Sequence, residues 1–294
     1  MSSVLPTGTQ YRISSGDGTA VIAEVGATLR SFTWAGRELC LTYGDDQPPL
    51  AWVGSTLVPW PNRIRDGRYT FDGTEYQLPI NEPGLGTALH GLAAAIEWRL
   101  VRRDEASLTL ACIVHPQLGW AGSVRIECTW RVGDDGLTVA WRATNVGRTP
   151  LPFGYGAHPY LAFEDVADVE LDVPFAKELL VDERLLPVEI ADVTEGHDFR
   201  EPRRVGDGEL DTAFTGGPEE WQVTLTGPEH AVSVWADAHH QWMQVHTHPS
   251  RRAIAVEPMT CGPNAFNEGP TNSALLRLEP GETASGRWGI RPAR

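Results

Sequence analysis

Alternation of apolar and polar residues with period two, turn signals between the alternating runs, and the lack of any helical stripe longer than about three turns predict an all-β chain, a large antiparallel β-sandwich. Thirty glycines and 22 prolines punctuate the sequence every few residues, which suits many short strands joined by tight turns.

Taken in chain order, Ala27 to Trp34 is the first strand candidate. Arg68 to Leu78 reads as a hairpin, because Asp72-Gly73 supplies the positive φ angles of a primed two-residue turn. Strand candidates follow at Ile96 to Arg103 and at Leu108, Leu110, Cys112 and Val114. The clearest alternation is Ser123 to Val132, where Val124, Ile126, Cys128, Trp130 and Val132 share one face. Gly133-Asp134-Asp135-Gly136 then reverses the chain, and Leu137, Val139, Trp141 and Ala143 return with the same period, giving one buried and one wet face. Asp182 to Gly217 is acidic and weakly patterned. It is expected to form loops with a few short strands, of the size that borders a site. Trp221 to Thr226, Ala231 to Trp235, Gln241 to Thr247, Arg252 to Glu257, Ala274 to Leu278 and Ser285 to Ile290 complete the strands. No fixed-period repeat is present, which argues against a propeller.

With 294 residues, 41% of them hydrophobic, the chain can bury a large core without disulfides or a metal. Sandwiches often exceed about 200 residues as one unit, so a single domain over residues 1–294 is expected. The net charge is −15 and the basic residues are scattered, so a nucleic-acid groove or an anionic membrane surface is a poor partner. A small neutral molecule suits this charge better. Cys40, Cys112, Cys128 and Cys261 lie far apart, without a C-x-x-C pair, as reduced core cysteines do. Met1 to Tyr11 has no basic or apolar leader pattern, and no run approaches the ~18 apolar residues of a membrane span. A cytoplasmic monomer or homodimer is expected.

Several polar residues invite a chemical role. Arg63 stands in Trp60-Pro61-Asn62-Arg63-Ile64, where its forked donors suit vicinal hydroxyls, although a surface arginine would equally pair with a carboxylate. His90 in Leu89-His90-Gly91 fits a core histidine, and the glycine after it permits an unusual φ or close backbone approach. His158, crowded by glycines, aromatics and proline in Phe153 to Tyr160, can donate and recover a proton near neutrality, or cap a loop carbonyl. Glu257 ends the apolar run Ala253-Ile254-Ala255-Val256. A desolvated carboxylate there is costly unless paired, and is a better base for being desolvated. Asp211 can accept from sugar hydroxyls or initiate a turn. Of the eleven tryptophans, Trp60 is a weak candidate for a sugar platform. His239, His240, His246 and His248 allow a metal reading, but no Asp, Glu or Cys lies at supporting spacing, and no site metal is expected. Phosphate-loop, dinucleotide and nucleophile-elbow motifs are missing, so no cofactor is expected either.

In this order, Asn62-Arg63-Ile64, Leu89-His90-Gly91, Ala157-His158-Pro159-Tyr160, Asp211 and Glu257-Pro258 resemble the aldose 1-epimerase (galactose mutarotase) family, from about residue 20 to residue 290. The resemblance implies the galactose mutarotase-like β-sandwich. It also implies Glu257 as general base, His158 as general acid, and Arg63, His90, Asp211 and Asn62 as sugar-binding or orienting groups. Two departures stand out: Gly91-Leu92 where many relatives have two glycines, and Pro-Met-Thr-Cys-Gly-Pro-Asn-Ala after Glu257 rather than a Pro-Asp-Ala ending. They suggest a divergent bacterial subgroup. The implied reaction is anomer interconversion of a free hexose, without metal or redox cofactor. Two rivals remain: a hexose-6-phosphate 1-epimerase, which would need basic residues such as Arg65 and Arg68 at the pocket, and a non-catalytic carbohydrate-binding module.

Overall fold

A computed structural model describes residues 4–48 and 52–293. Strands make up nearly all of its regular structure. Among the described residues, helix is limited to two 3-10 turns, Val166–Asp168 and Asn272–Ala274, and no helix is long and apolar enough to cross a membrane.

The alternating runs fold as their period dictates. Val124–Gly133 and Gly136–Asn145 pair antiparallel from Gly133↔Gly136 to Val124↔Asn145, and Val124, Ile126, Cys128, Trp130, Leu137, Val139 and Trp141 are all buried. Gly136 has φ 128°, and a Cβ there would lie 2.2 Å from the Ile290 carbonyl oxygen, so the turn needs glycine. In the second hairpin, Arg68–Phe71 joins Thr74–Gln77 through Asp72 (φ 49°) and Gly73 (φ 76°), the primed turn that Asp-Gly favours.

Two large antiparallel sheets form the sandwich. The nine-stranded sheet runs, in spatial order, Arg99–Arg103, Ser107–Val114, Val124–Gly133, Gly136–Asn145, Thr283–Ala293, Ala231–Ala236, Trp221–Thr226, Glu170–Asp172 and Arg203–Arg204. The eight-stranded sheet runs Pro187–Asp192, Lys177–Val181, Asp211–Thr215, Trp242–Thr247, Ala253–Met259, Gly156–Ala157 and Thr56–Leu57, with Tyr160–Ala162 also on Ala253–Met259. Their inner faces meet in one continuous apolar core that includes Leu110, Ile126, Val139 and Val234 from the first sheet and Phe214, Met243, Val245, Ile254 and Val256 from the second. Each fully buried large apolar side chain contributes roughly 1.5–3 kcal/mol.

One chain of polar groups in this core is satisfied internally, although Trp120 Nε1 is buried without a partner. Trp141 stacks on Tyr155 and donates from Nε1 to His240 Nε2 at 3.0 Å, while His240 Nδ1 lies 2.9 Å from Asp237 Oδ1. All four cysteines are buried and unpaired. Burial pushes each thiol up, that of Cys261 to about 12, as expected of inert core groups.

Other segments depart from expectation. Gln10–Ser15 and Gly18–Ala23 form strands in an N-terminal four-stranded sheet with Thr28–Trp34 and Arg37–Glu38. The strand expected from Ile96 begins at Arg99, because the Trp98 N–H bonds to the Glu24 carbonyl and its ring is buried. Ala274 belongs to a 3-10 turn, and the strand behind it is Leu276–Leu278. The Asp182 to Gly217 region agrees with expectation, with three short strands, Pro187–Asp192, Arg203–Arg204 and Asp211–Thr215, among its loops.

Glu257 lies within a strand rather than at its end, since Ala253–Met259 continues through Pro258. The Val256 N–H donates to Pro159 O and the Thr260 N–H to Tyr155 O, so position 258 faces the same neighbour. That neighbour is interrupted at His158-Pro159, between Gly156–Ala157 and Tyr160–Ala162. A residue without an N–H therefore costs the ladder little here.

Candidate active site

The outer face of the eight-stranded sheet carries a row of polar side chains set by strand register. Asp211 pairs with His246, Gln244 with Glu257, and His246 with Ala255. The period of two that sends Met243, Val245, Ile254 and Val256 into the core therefore sends Gln244, His246 and Glu257 to the opposite side. Small apolar clusters flank the row, Tyr160, Val53 and Ala255 on one side and Leu179, Ala213 and Trp242 on the other.

Glu257 and His158 meet here. Glu257 Oε1 lies 3.3 Å from His158 Nε2, and the residues are only 2% and 4% exposed. The strand interruption brings His158 to this position: its own N–H donates to Ser55 O and its carbonyl accepts from Gly54 N, leaving the side chain free to turn toward Glu257. The His158 ring stacks on Tyr160, centroids 4.8 Å apart, which fixes its plane. Burial pushes the Glu257 carboxyl well up, with Asp211 adding to the effect and Arg63 opposing it. Burial pulls the His158 imidazole down to about 3, with His246 adding to it. Both shifts disfavour charge, so the pair is held net neutral with one proton between its members. Glu257 Oε2 and His158 Nδ1 are buried without a partner. Such orphaned groups cost about 1–3 kcal/mol each until a ligand or water satisfies them.

His90 and Asn62 are locked together by backbone. The His90 N–H donates to Asn62 O, and the Asn62 N–H donates to His90 Nδ1 at 3.1 Å. Nδ1 is thus an acceptor, and the neutral ring carries its hydrogen on Nε2. Burial, then His158, Arg63 and His246, hold His90 well below the ordinary histidine range. Asn62 (φ 56°), His90 (φ 61°) and Gly91 (φ 76°) all adopt the left-handed region. At Gly91 a Cβ would lie 2.2 Å from the Val58 carbonyl oxygen, which explains the glycine after the histidine.

Arg63 is both an ion-pair partner and a member of this group. Its Nε and Nη2 each donate to a Glu82 carboxylate oxygen at 2.9 Å, and Thr87 Oγ1 donates to the same carboxylate. Nη1 is left on the side of Asn62 Oδ1, 3.5 Å away. Asn62 Nδ2 donates to Gln244 Oε1 at 3.4 Å, and Gln244 Nε2 donates to Asp211 Oδ1 at 2.6 Å. His246 Nδ1 lies 3.6 Å from the same Asp211 oxygen. Asn62, Arg63, Asp211, Gln244, Val181 and Leu185 border one depression of about 220 Å³, part of it open to solvent. Wider surface grooves, such as that between Arg37, Phe163 and His230, lie away from these residues.

Glu257, His158, Arg63, His90, Asn62 and Asp211 are therefore linked through direct contacts or through Gln244. Trp60 is not part of the site. It is buried, donating to Ala88 O and packed edge-on against Phe266, so its face is unavailable to a sugar. Trp52, edge-on to His90 at 5.1 Å and half-buried, is nearer. Gln244, Glu82, Tyr160 and His246 were not singled out for this site by sequence. Alternation in Met243-Gln244-Val245-His246 places two of them on one face, but only strand register shows that Glu257 is beside them. The four histidines weighed as metal ligands diverge: His240 is in the core, His246 faces Asp211, His248 bonds Ser250 and His239 is exposed. Among the described residues no group of three or more His, Cys, Asp or Glu converges as a metal site.

The sequence matches the family model described as Aldose 1-epimerase over residues 9–291. YihR of Escherichia coli (strain K12), named as an uncharacterized protein, is 34% identical over 282 residues, which cover 94% of this chain and 91% of YihR. Galactose mutarotase of Rattus norvegicus is 30% identical over 164 residues, 53% of this chain and 47% of that protein. Among solved structures, a galactose mutarotase-like protein from Clostridium acetobutylicum aligns with TM-score 0.87 at 17% identity, covering 96% of this chain and 94% of its own. An aldose epimerase homologue from C. elegans aligns at 0.86 and 20%, covering 97% and 99%. At these identities the structural matches establish a shared fold.

Proposed function

This chain belongs to the aldose 1-epimerase family, and from that premise we propose that it interconverts the α and β anomers of a free hexose by acid/base ring opening and reclosure. The observation that carries the reading is the buried Glu257–His158 contact at 3.3 Å, with Glu257 Oε2 unpartnered beside it. A carboxylate and an imidazole that share one proton can act on two oxygens of one anomeric centre. Sugar entry replaces their mutual contact: Glu257 accepts the proton of the anomeric hydroxyl, and His158 Nε2 donates to the ring oxygen. The C1–O5 bond breaks to give the open-chain aldehyde. Rotation about C1–C2 presents the other carbonyl face, and the same two groups with roles reversed close the ring. Each contributes about 10²–10⁴-fold.

The remaining residues bind. Arg63 Nη1, neutral His90, Asn62, Gln244 and Asp211 offer donors and acceptors to the hydroxyls of a single ring. The hexose-phosphate reading has less support. Arg65 lies 4.0 Å from Asp182, while Arg68 donates to Gln77 and lies 3.9 Å from Glu75, so each already faces an acid. A purely binding module would have no use for a buried proton-sharing pair.

Polarimetry on freshly dissolved α-glucose and α-galactose tests the proposal. The protein should speed the approach to anomeric equilibrium, and Glu257→Gln, folded by circular dichroism, should lose at least about 10²-fold in rate. Retention of most of the activity in that variant would remove Glu257 as the base.

A further inference from the structure

His246 stands in the polar row without a task in the proposed reaction. Strand register sets Asp211, His246, Ala255 and Tyr160 side by side across the eight-stranded sheet, two residues along from Gln244 and Glu257. Ala255 has only a methyl group, so His246 and Tyr160 meet across it edge-on, ring centroids 6.1 Å apart. His158 stacks on the same phenol ring at 4.8 Å. Two imidazoles, one of them the proposed acid, therefore share one tyrosine.

Asp211 flanks His246 on the other side. Its Oδ1 lies 3.6 Å from His246 Nδ1, too long for a hydrogen bond but within reach of an ion pair, and that nitrogen is buried without a hydrogen-bond partner. The same oxygen accepts from Gln244 Nε2 at 2.6 Å, which holds Asp211 in place whichever charge His246 carries. The charged and titratable groups around His246 are thus Asp211, Tyr160, His158 and Glu257, with His248 edge-on to Tyr160 at 5.1 Å and turned to Ser250, and with His90 and Arg63 beyond His158. After burial, a positive His246 is the largest influence holding His158 down, as Asp211 is the largest after burial holding Glu257 up.

Histidine is the side chain that ordinarily changes charge between about pH 5 and pH 8. Over that range the Glu257–His158 pair shares one proton, and losing it as pH rises could only slow the reaction. His90 is already neutral there, its Nδ1 accepting from Asn62. A rate that climbs with pH therefore has to come from another group.

Resting on the proposed function, we infer that His246 is a positioning residue for the acid–base pair: protonated, it is the counter-ion of Asp211 and repels a proton from His158; neutral, it lets His158 hold the proton that the ring oxygen takes. It acts through Asp211 and His158.

The test is polarimetry on α-glucose from about pH 5 to pH 9, corrected for the uncatalysed rate and resolved into kcat and KM, beside imidazole NMR of the same proteins. Wild-type kcat should climb at least about fivefold to a plateau through one ionisation, at the midpoint where the His246 resonance titrates. His246→Gln, which keeps a neutral donor beside Asp211, should hold kcat within about twofold of that plateau throughout. His246→Ala should share the flat kcat but raise KM at least about threefold, a loss that the glutamine variant restores. Asp211→Asn should lower the His246 midpoint by at least about 0.5 pH unit, a shift read without turnover. A merely structural histidine would lower the plateau and leave the pH dependence in place. A climb in kcat that persists in His246→Gln, or a midpoint unmoved in Asp211→Asn, overturns the role of His246 and leaves the proposed reaction standing. No acceleration by wild type at any pH overturns both.

Discussion

Replacing Glu82 with alanine isolates the support of Arg63 from the chemistry at Glu257. The carboxylate takes two N–H···O bonds of 2.9 Å from the guanidinium, and the side chains are only 12% (Arg63) and 21% (Glu82) exposed. Breaking a buried ion pair by removing one partner costs about 3–5 kcal/mol, because the remaining charge stays desolvated. Water can reach this pair in part, which places the cost near the lower end, about 3 kcal/mol. With a urea slope of about 3 kcal/mol/M, the unfolding midpoint should fall by about 1 M. In polarimetry KM should rise about tenfold, equivalent to about 1.4 kcal/mol, while kcat changes much less, since the role proposed for Arg63 is to orient the sugar and not to carry its proton. Glu82→Gln, which retains an acceptor without the charge, should lie between. A midpoint within about 0.2 M of wild type together with KM within about twofold would refute the positioning role, whatever the fold does.

Two further outcomes follow from the site. The folded-state value of Glu257 is raised above 4.5 by burial, so the unfolded chain releases its proton first as pH rises, and native stability declines from about pH 4.5 until the raised folded value is passed; Glu257→Gln cannot ionise, so its Tm relative to wild type should increase from pH 4 to pH 8, and a constant difference would contradict the assignment. Gly91→Ala places a Cβ 2.2 Å from Val58 O at a φ of 76°, so it should lose about 2 kcal/mol or more and lower Tm by at least about 4 °C, and an unchanged Tm would show that the His90-Gly91 turn can relax.

What could be read from sequence follows the length of each pattern. Ten-residue alternation in Val124–Gly133 and the Asp72-Gly73 turn were legible because local sterics determine them. Gly18–Ala23 was not, since glycine and alanine blunt the contrast between its faces, and two- or three-residue strands such as Gly156–Ala157 are too short to show a period. At the site, Glu257 drew attention because a carboxylate in an apolar run demands a partner. His90 is a satisfied buried histidine and Arg63 an ion-pair partner, as their plainer readings expect, and both also lie in the group of polar side chains around Glu257 and His158. Gln244 and Glu82 remained hidden because neither has an unusual local setting. Their place comes from register across strands and from loop closure, which alternation does not encode.

Pro258 brings no amide hydrogen to the strand in which it sits. Hydrogen bonds between strands can form or break as neighbouring side chains change, but a missing amide hydrogen cannot be restored by any rearrangement. The seam opposite His158 is therefore left unstitched by covalent structure, beyond the reach of drift in the surrounding residues. The interruption at His158-Pro159 that lets the imidazole face Glu257 is preserved by that permanent gap, while the sheet on both sides keeps the stiffness of a continuous weave.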